Sequence, residues 1–343
     1  MTNGALQGLL YCGNILIPSL FPFMVLSSFA VKSGLSDIIG NILAPLTKKI
    51  FHIEGCAGAI ILIGLVGGFP VGAKGVTTLY DEKRLKLESA QAVTMFLVGG
   101  GPGFIVAVIG NALYRDIFTG LILWGCQLVT QFFLGIFSCR KLIYKPSVSD
   151  DISYKKNGKA LSTSIIEATE SGIRGIISLC GLVIIFSCMY GLLEGLKFND
   201  TFENILKLIC LPEGIRKSIF PVIWEVTRGC NTCCLNAAPI WLISFALGWG
   251  GICVHFQIYA LAEKLHISKL KFTLYRFAQG IISAVLTYIC FLFYNPAQNV
   301  YTSFSVPSMH PGTGSFMGSI ALIALCIVFT ASVSQSDKSQ RMR

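Results

Sequence analysis

Residues 67–75 read Gly-Gly-Phe-Pro-Val-Gly-Ala-Lys-Gly, inside an apolar stretch long enough to enter a bilayer. Glycine adds backbone entropy to be lost and proline removes an amide donor, so this run breaks a helix. In hydrocarbon, a broken helix leaves backbone groups unpaired at several kcal/mol each, and it survives only inside protein or beside a polar cavity. A second break follows at Val98-Gly99-Gly100-Gly101-Pro102-Gly103-Phe104. Interrupted helices at membrane depth are where carriers place their ligand and ion sites.

The rest of the chain supports a membrane setting. Hydrophobic residues make up 53% of the 343 and only 13% are charged, about half the charged fraction of a typical soluble domain. Apolar stretches reach the roughly 20 residues that cross a bilayer as a helix. The first, from about Ala5, has no basic region ahead of it and no small-residue cleavage site, so it reads as a retained helix and not a cleaved signal. The net charge of +10 is not a nucleic-acid signal. It collects in residues 32–54, 139–159 and 263–276 and in the C-terminal tail. The positive-inside rule makes those segments, and the C-terminus, cytoplasmic. The charge-balanced segments 111–118, 194–217 and 295–314 are placed outside.

Full crossings are expected near 5–30, 89–110, 119–138, 171–193, 235–262, 276–294 and 315–333. The loops at 32–54 and 139–159 are both inside, so an even number of crossings separates them. Segments 89–110 and 119–138 supply two. Segment 57–80 therefore enters and leaves on one side, and the same parity makes 218–234 re-entrant. Ser89–Val98 with its glycine cluster aligns with Ala237–Ala246 followed by Gly248, Gly250 and Gly251. The expected fold is an all-α polytopic membrane protein, an inverted-repeat transporter-like bundle with two re-entrant segments and two glycine-broken helices. Residues 5–138 form the first repeat, 139–170 a basic cytoplasmic linker and 171–294 the second repeat. An external loop at 295–314 and an extra helix at 315–333 complete it.

The candidate site lies near the midplane between the repeats. Gly68, Pro70 and Gly72 expose helix-end amides, which favour anions. Lys74 either adds charge to that site or snorkels to the cytoplasmic interface. Gly100, Gly101, Pro102 and Gly103 either offer bare backbone to a ligand or pack helices closely. Glu225-Val226-Thr227-Arg228-Gly229 falls at the second re-entrant tip. An intramembrane ionisable residue is a functional candidate: Glu225 for a coupling proton or cation, Arg228 for a substrate carboxylate, flanked by Thr227 and Gly229. The other reading is a Glu225–Arg228 salt bridge. The 13 cysteines are scattered through apolar segments as packing residues. Cys230, Cys233 and Cys234 lack the second close pair that a tetrahedral metal site needs. No metal, cofactor or catalytic constellation is expected.

Three motifs together carry a family resemblance: Ile17-Pro18-Ser19-Leu20-Phe21-Pro22-Phe23, Gly68-Phe69-Pro70-Val71-Gly72-Ala73-Lys74 and Gly101-Pro102-Gly103-Phe104-Ile105. They resemble the YlbJ-type sporulation integral membrane proteins, of the nucleoside-recognition (Gate) superfamily. The Glu225–Gly229 segment is similar to that family's second-half motif. The resemblance implies a transporter of dipicolinic acid, moved into the developing spore across its outer membrane. The expected partners are thus a small anionic substrate and the lipid bilayer, with no nucleic acid and self-association left open. Two alternatives stand beside this reading, a nucleoside or nucleobase transporter and a non-transporting assembly protein of the spore membrane.

Overall fold

The computed structural model describes residues 2–140, 142, 161–208 and 210–294. The expected loop at 295–314, the helix at 315–333 and nearly all of the 139–159 linker lie outside them. Every regular element among the described residues is helical. A continuous rod opens the chain: α1 (Thr2–Tyr11), a π-helical turn at Cys12–Leu16 and α2 (Ile17–Lys32). Then come α3 (Leu35–Leu46), the pair α4 (Ala57–Gly67) and α5 (Phe69–Asp81), α6 (Leu87–Phe96), a π-helical segment at Gly103–Leu113, and α7 (Ile117–Cys139). The second half runs α8 (Leu161–Gly195), α9 (Phe198–Lys207), the pair α10 (Glu213–Trp224) and α11 (Val226–Leu235), α12 (Ile240–Trp249), α13 (Gly251–Leu261) and α14 (Lys269–Phe293). Each half thus has a long helix, a short helix, a broken pair, a second broken pair and a long helix, in that order.

The halves are inverted. Equivalent helices α2 and α8 run antiparallel: Gly8 packs on Ile184 while Lys32 Nζ reaches Glu167 Oε2 at 2.9 Å. Equivalent helices α7 and α14 do the same. Tyr294 OH donates to Asp116 Oδ2 at 2.6 Å at one end, and the Phe137 and Tyr275 rings lie 6.3 Å apart at the other. A parallel repeat would pair like ends.

Segments 57–80 and 218–234 are hairpins, as the charge parity predicts. Gly64 lies against Gly72, and at the base Lys86 N donates to Glu54 Oε1 at 3.2 Å, so both ends leave on one side. In the second hairpin Gly229 packs on Val222 and Gly214 on the Asn236–Ala238 backbone. Helices of 10 to 13 residues extend about 15–20 Å, short of the roughly 30 Å hydrocarbon core.

Among the described residues, five stretches are long and apolar enough to cross a membrane: Gly4–Lys32, Ile117–Cys139, Leu161–Gly195, Ile240–Leu261 and Lys269–Phe293. The crossing near 89–110 is broken into two short pieces, as its glycine cluster predicts, because Leu97–Gly101 has no helical backbone. Two details depart from expectation. Helix α8 begins at Leu161, so the last ten residues assigned to the linker and the turn carrying Glu167 and Glu170 are already helical. The stretches 32–54 and 194–217, read as loops from their charges, contain α3 and α9. In α9, Phe198 and Phe202 pack on Phe220 of α10, with ring centroids 5.1 and 5.6 Å apart, while Asp200 and Lys207 stay exposed. Such a helix, apolar along one side and charged along the other, suits a membrane surface.

Close backbone approaches set the packing. A Cβ at Gly248 of α12 would stand 2.6 Å from Gly280 Cα of α14. Gly248→Leu is therefore expected to lower thermal stability in detergent by about 3 kcal/mol or more, whereas Gly125→Leu and Gly181→Leu, with open space around them, stay within about 0.5 kcal/mol. Asp116 caps α7, accepting from the Phe118 and Thr119 amides at 3.1 Å each. Burial pushes its carboxyl up, but hydrogen bonds from Thr119, Tyr294 and those amides outweigh it and hold the pKa below 3.8. The depressed value means that the stabilisation is present above the ordinary carboxylate range and lost as pH falls through the folded pKa. The melting-temperature advantage of wild type over Asp116→Asn should shrink below about pH 4.

Candidate functional site

Four helix breaks meet inside the bundle. Gly68 joins α4 to α5 with φ of +91°, where a side chain is strained. Its Cβ would stand 3.1 Å from the Gly101 amide nitrogen, and a Cβ on Gly101 would stand 2.5 Å from Val66 O. The first hairpin tip thus touches the first broken crossing. The second half repeats the contact: Gly251 at φ +76° lies against Glu225, with 2.8 Å to Glu225 Cα. Phe69 bridges the halves. Positions for a Cβ on Gly100 and on Gly250 fall 3.6 and 3.5 Å from its ring.

The groups freed by these breaks find partners in side chains. Both carboxylate oxygens of Glu225 accept backbone amides at the start of α11, Thr227 N at 2.8 Å and Arg228 N at 2.7 Å. Trp249 Nε1 donates to Ile223 O at 3.2 Å, at the end of α10. Arg276 Nη1 donates to Val98 O beyond the end of α6. Pro70 stands in the first turn of α5, where no amide partner is available anyway. A buried polar group follows on α7, α12 and α14. Gln279 Nε2 donates to Gln127 Oε1 at 3.0 Å, Gln127 Nε2 donates to Ser244 O at 2.8 Å, and Thr287 Oγ1 donates to Ser244 Oγ at 2.8 Å. Gln127 and Gln279 are eleventh in α7 and α14 respectively, so the two repeats meet through equivalent glutamines.

The residues singled out from sequence separate into groups. Gly68, Gly100 and Gly101 come together with Phe69, and Gly72 packs against Leu97 O. Glu225 stands at its hairpin tip, yet its carboxylate is a helix cap. The Glu225–Arg228 side-chain salt bridge does not form among the described residues. Arg228 instead lies over the Tyr190 ring at 4.2 Å and donates to Gln7 Oε1 at an exposed position. Thr227 pairs with Tyr11 OH at 2.8 Å. These two therefore face α1 and α8 and not the meeting point of the breaks. Lys74 is half-buried, well down α5 from the tip. Pro102 is half-exposed and Gly103 is exposed with open space around it. Gly229 packs on the Val222 backbone. Cys230, Cys233 and Cys234 are buried free thiols, and no group of three or more His, Cys, Asp or Glu among the described residues is placed to hold a metal ion.

Sequence reasoning missed Phe69, Gln127, Arg276 and Gln279. The available signal was spacing. Arg276, Gln279, Ser283 and Thr287 follow the three-and-four periodicity of one helix face in a helix otherwise apolar. Arg276 was counted with the cytoplasmic charges because it opens the apolar run; helix α14 in fact begins at Lys269, and Arg276 lies almost two turns inside it.

Residues 15–115 match the family model described as Gate, nucleoside recognition. That segment contains both first-half breaks. The chain is also 23% identical over 359 residues to the sporulation integral membrane protein YlbJ of Bacillus subtilis, covering 94% of this chain and 88% of the relative. The chain is similar to YlbJ, and its residues 15–115 are similar to the Gate family. The resemblance drawn from the three N-terminal motifs is borne out. No solved structure matches. The similarity to YlbJ spans both halves, whereas the Gate match ends before α7, so the second hairpin with Glu225 lies outside the Gate segment.

The Glu225 cap is testable by stability. Glu225→Gln keeps one acceptor oxygen and should lose about 1 kcal/mol, and Glu225→Ala about 2 kcal/mol. Arg228→Gln, whose side chain is at the surface, should lose less than about 1 kcal/mol. Thermal unfolding of the purified variants in detergent reads all three.

Proposed function

We propose that this membrane protein is a carrier of a small organic anion, with dipicolinate the leading substrate, acting in a sporulating bacterium at the outer membrane of the developing spore. The observation that carries the reading is the convergence of four helix breaks, two from each inverted half, around Phe69. Inverted repeats with discontinuous helices support alternating access, in which one half moves against the other about a fixed midplane site. Helix N-termini at Phe69 and Gly251 supply partial positive charge there. Similarity to YlbJ, a sporulation protein, supports the cellular setting.

Glu225 belongs to this mechanism as the group that holds the second hairpin tip, since its carboxylate is committed to two amides. An ion coupled at the tip would compete with those amides for the carboxylate. Lys74 serves as a charge on the approach to the site, on the side of Asp81 and Lys264, whose side chains pair at 2.9 Å. The basic segments and the C-terminus are cytoplasmic on this reading.

The Gate match favours a second reading, a nucleoside or nucleobase transporter. An assembly role in the spore membrane would instead leave the glycine breaks tolerant of substitution. Uptake into liposomes separates the three. The carrier reading expects saturable uptake of labelled dipicolinate that uridine does not compete, abolished by Gly101→Leu and retained in Gly103→Leu, with both variants checked for folding by thermal unfolding. Uptake of uridine in place of dipicolinate would establish the second reading. Absence of any uptake by the folded wild type would leave the assembly role.

A further inference from the structure

Arg276 is wholly buried and is not paired with an acid. Its Nη1 donates to Val98 O, its guanidinium lies 5.9 Å from the Phe272 ring centroid, and Nε and Nη2 have no hydrogen-bond partner. No carboxylate among the described residues forms an ion pair with it. The guanidinium cannot escape burial by losing its proton at physiological pH. An unpaired charge inside protein is strongly destabilising unless something else compensates it, and one carbonyl dipole answers only one of five donors.

The free donors are adjacent. Nε–H and Nη2–H point the same way from one edge of the planar guanidinium, the fork that accepts the two oxygens of a carboxylate. The Val98 carbonyl occupies the other side. Next along the chain come Gly99, Gly100 and Gly101, which pack closely on Gln131, Ile105 and Val66 respectively, and Phe69 lies against Gly100 as an apolar wall. Nearby, Gln279 Oε1 and His255 Nε2 are also buried without partners. We propose that the Nε–Nη2 edge of Arg276 binds a carboxylate of the carried anion beside the Val98–Gly101 break. The assignment rests on the carrier reading for its ligand and adds the residue that selects charge. An uncharged ligand has nothing to offer this edge. A lysine in its place would retain the charge and lose the fork.

The test uses the full chain, purified in detergent and reconstituted in liposomes, as wild type, Arg276→Lys and Arg276→Gln. The probes are dipicolinate, phosphate, chloride and uridine. Wild type should be stabilised saturably by dipicolinate and not by uridine. In Arg276→Lys the apparent Kd for dipicolinate and the KM for its uptake should each rise on the order of tenfold, with the maximal rate largely kept. Arg276→Gln should lose both binding and uptake. Neither variant should melt far below the ligand-free wild type, because in Arg276→Gln the loss of the bond to Val98 O is offset by relief of the buried charge, and Arg276→Lys keeps a donor for that carbonyl. A lower melting temperature with unchanged Kd and KM in Arg276→Lys would make Arg276 a structural prop and overturn the assignment, leaving the carrier intact. Binding that depends on Arg276 without any uptake would keep the site and remove the carrier. Stabilisation by chloride or phosphate equal to that by dipicolinate would overturn the carboxylate assignment. A wild type that neither binds nor takes up dipicolinate would overturn both.

Discussion

Unpaired backbone at helix ends is the constraint on which this architecture depends. Four interruptions lie inside an apolar bundle, and each leaves amides and carbonyls that lipid cannot satisfy. The protein answers with side chains sent from elsewhere. Glu225 caps α11 from its own chain end, Trp249 reaches from α12 to the end of α10, and Arg276 reaches from α14 to Val98. The breaks are therefore tied to one another and to the long helices. A movement of one hairpin must exchange these bonds and not simply slide past them.

Small residues make that arrangement compact. The Gly64–Gly72 and Gly248–Gly280 approaches bring backbones together where any Cβ would collide. In a membrane, where burial of apolar surface against lipid gives little drive, such contacts and interhelical hydrogen bonds supply the association. The equivalent glutamines Gln127 and Gln279 then join the two repeats directly. Their mutual hydrogen bond places polar groups in the interior on the same helices that carry the outer apolar surface, including Phe133 and Phe293, which are well exposed. Arg276 is the exception to this economy, a charge left with two nitrogens unpartnered.

Much of the fold could be read without coordinates. Glycine and proline clusters located the hairpin tip at Gly68 and the broken crossing at Gly99–Pro102, because their backbone effect is local. The alternation of basic and neutral loops forced both hairpins by parity, because charge asymmetry across the bilayer is written along the chain. Glu225 was noticed for being ionisable in an apolar setting, and its place at a tip follows from the same parity. The short helices α3 and α9 were hidden, since charges on one face of an interfacial helix look like a polar loop when counted without regard to angle.

By itself, then, the sequence determined the membrane class, the inverted order of elements and the positions of the breaks, since each follows from local backbone preference or from charge along the chain. Tertiary structure alone decided which side chains meet. Neither backbone preference nor charge along the chain distinguishes Arg228, which turns outward onto Tyr190, from Arg276, which turns inward to Val98. The direction a side chain faces on a helix is set by what packs there, and those partners come from other helices of the bundle.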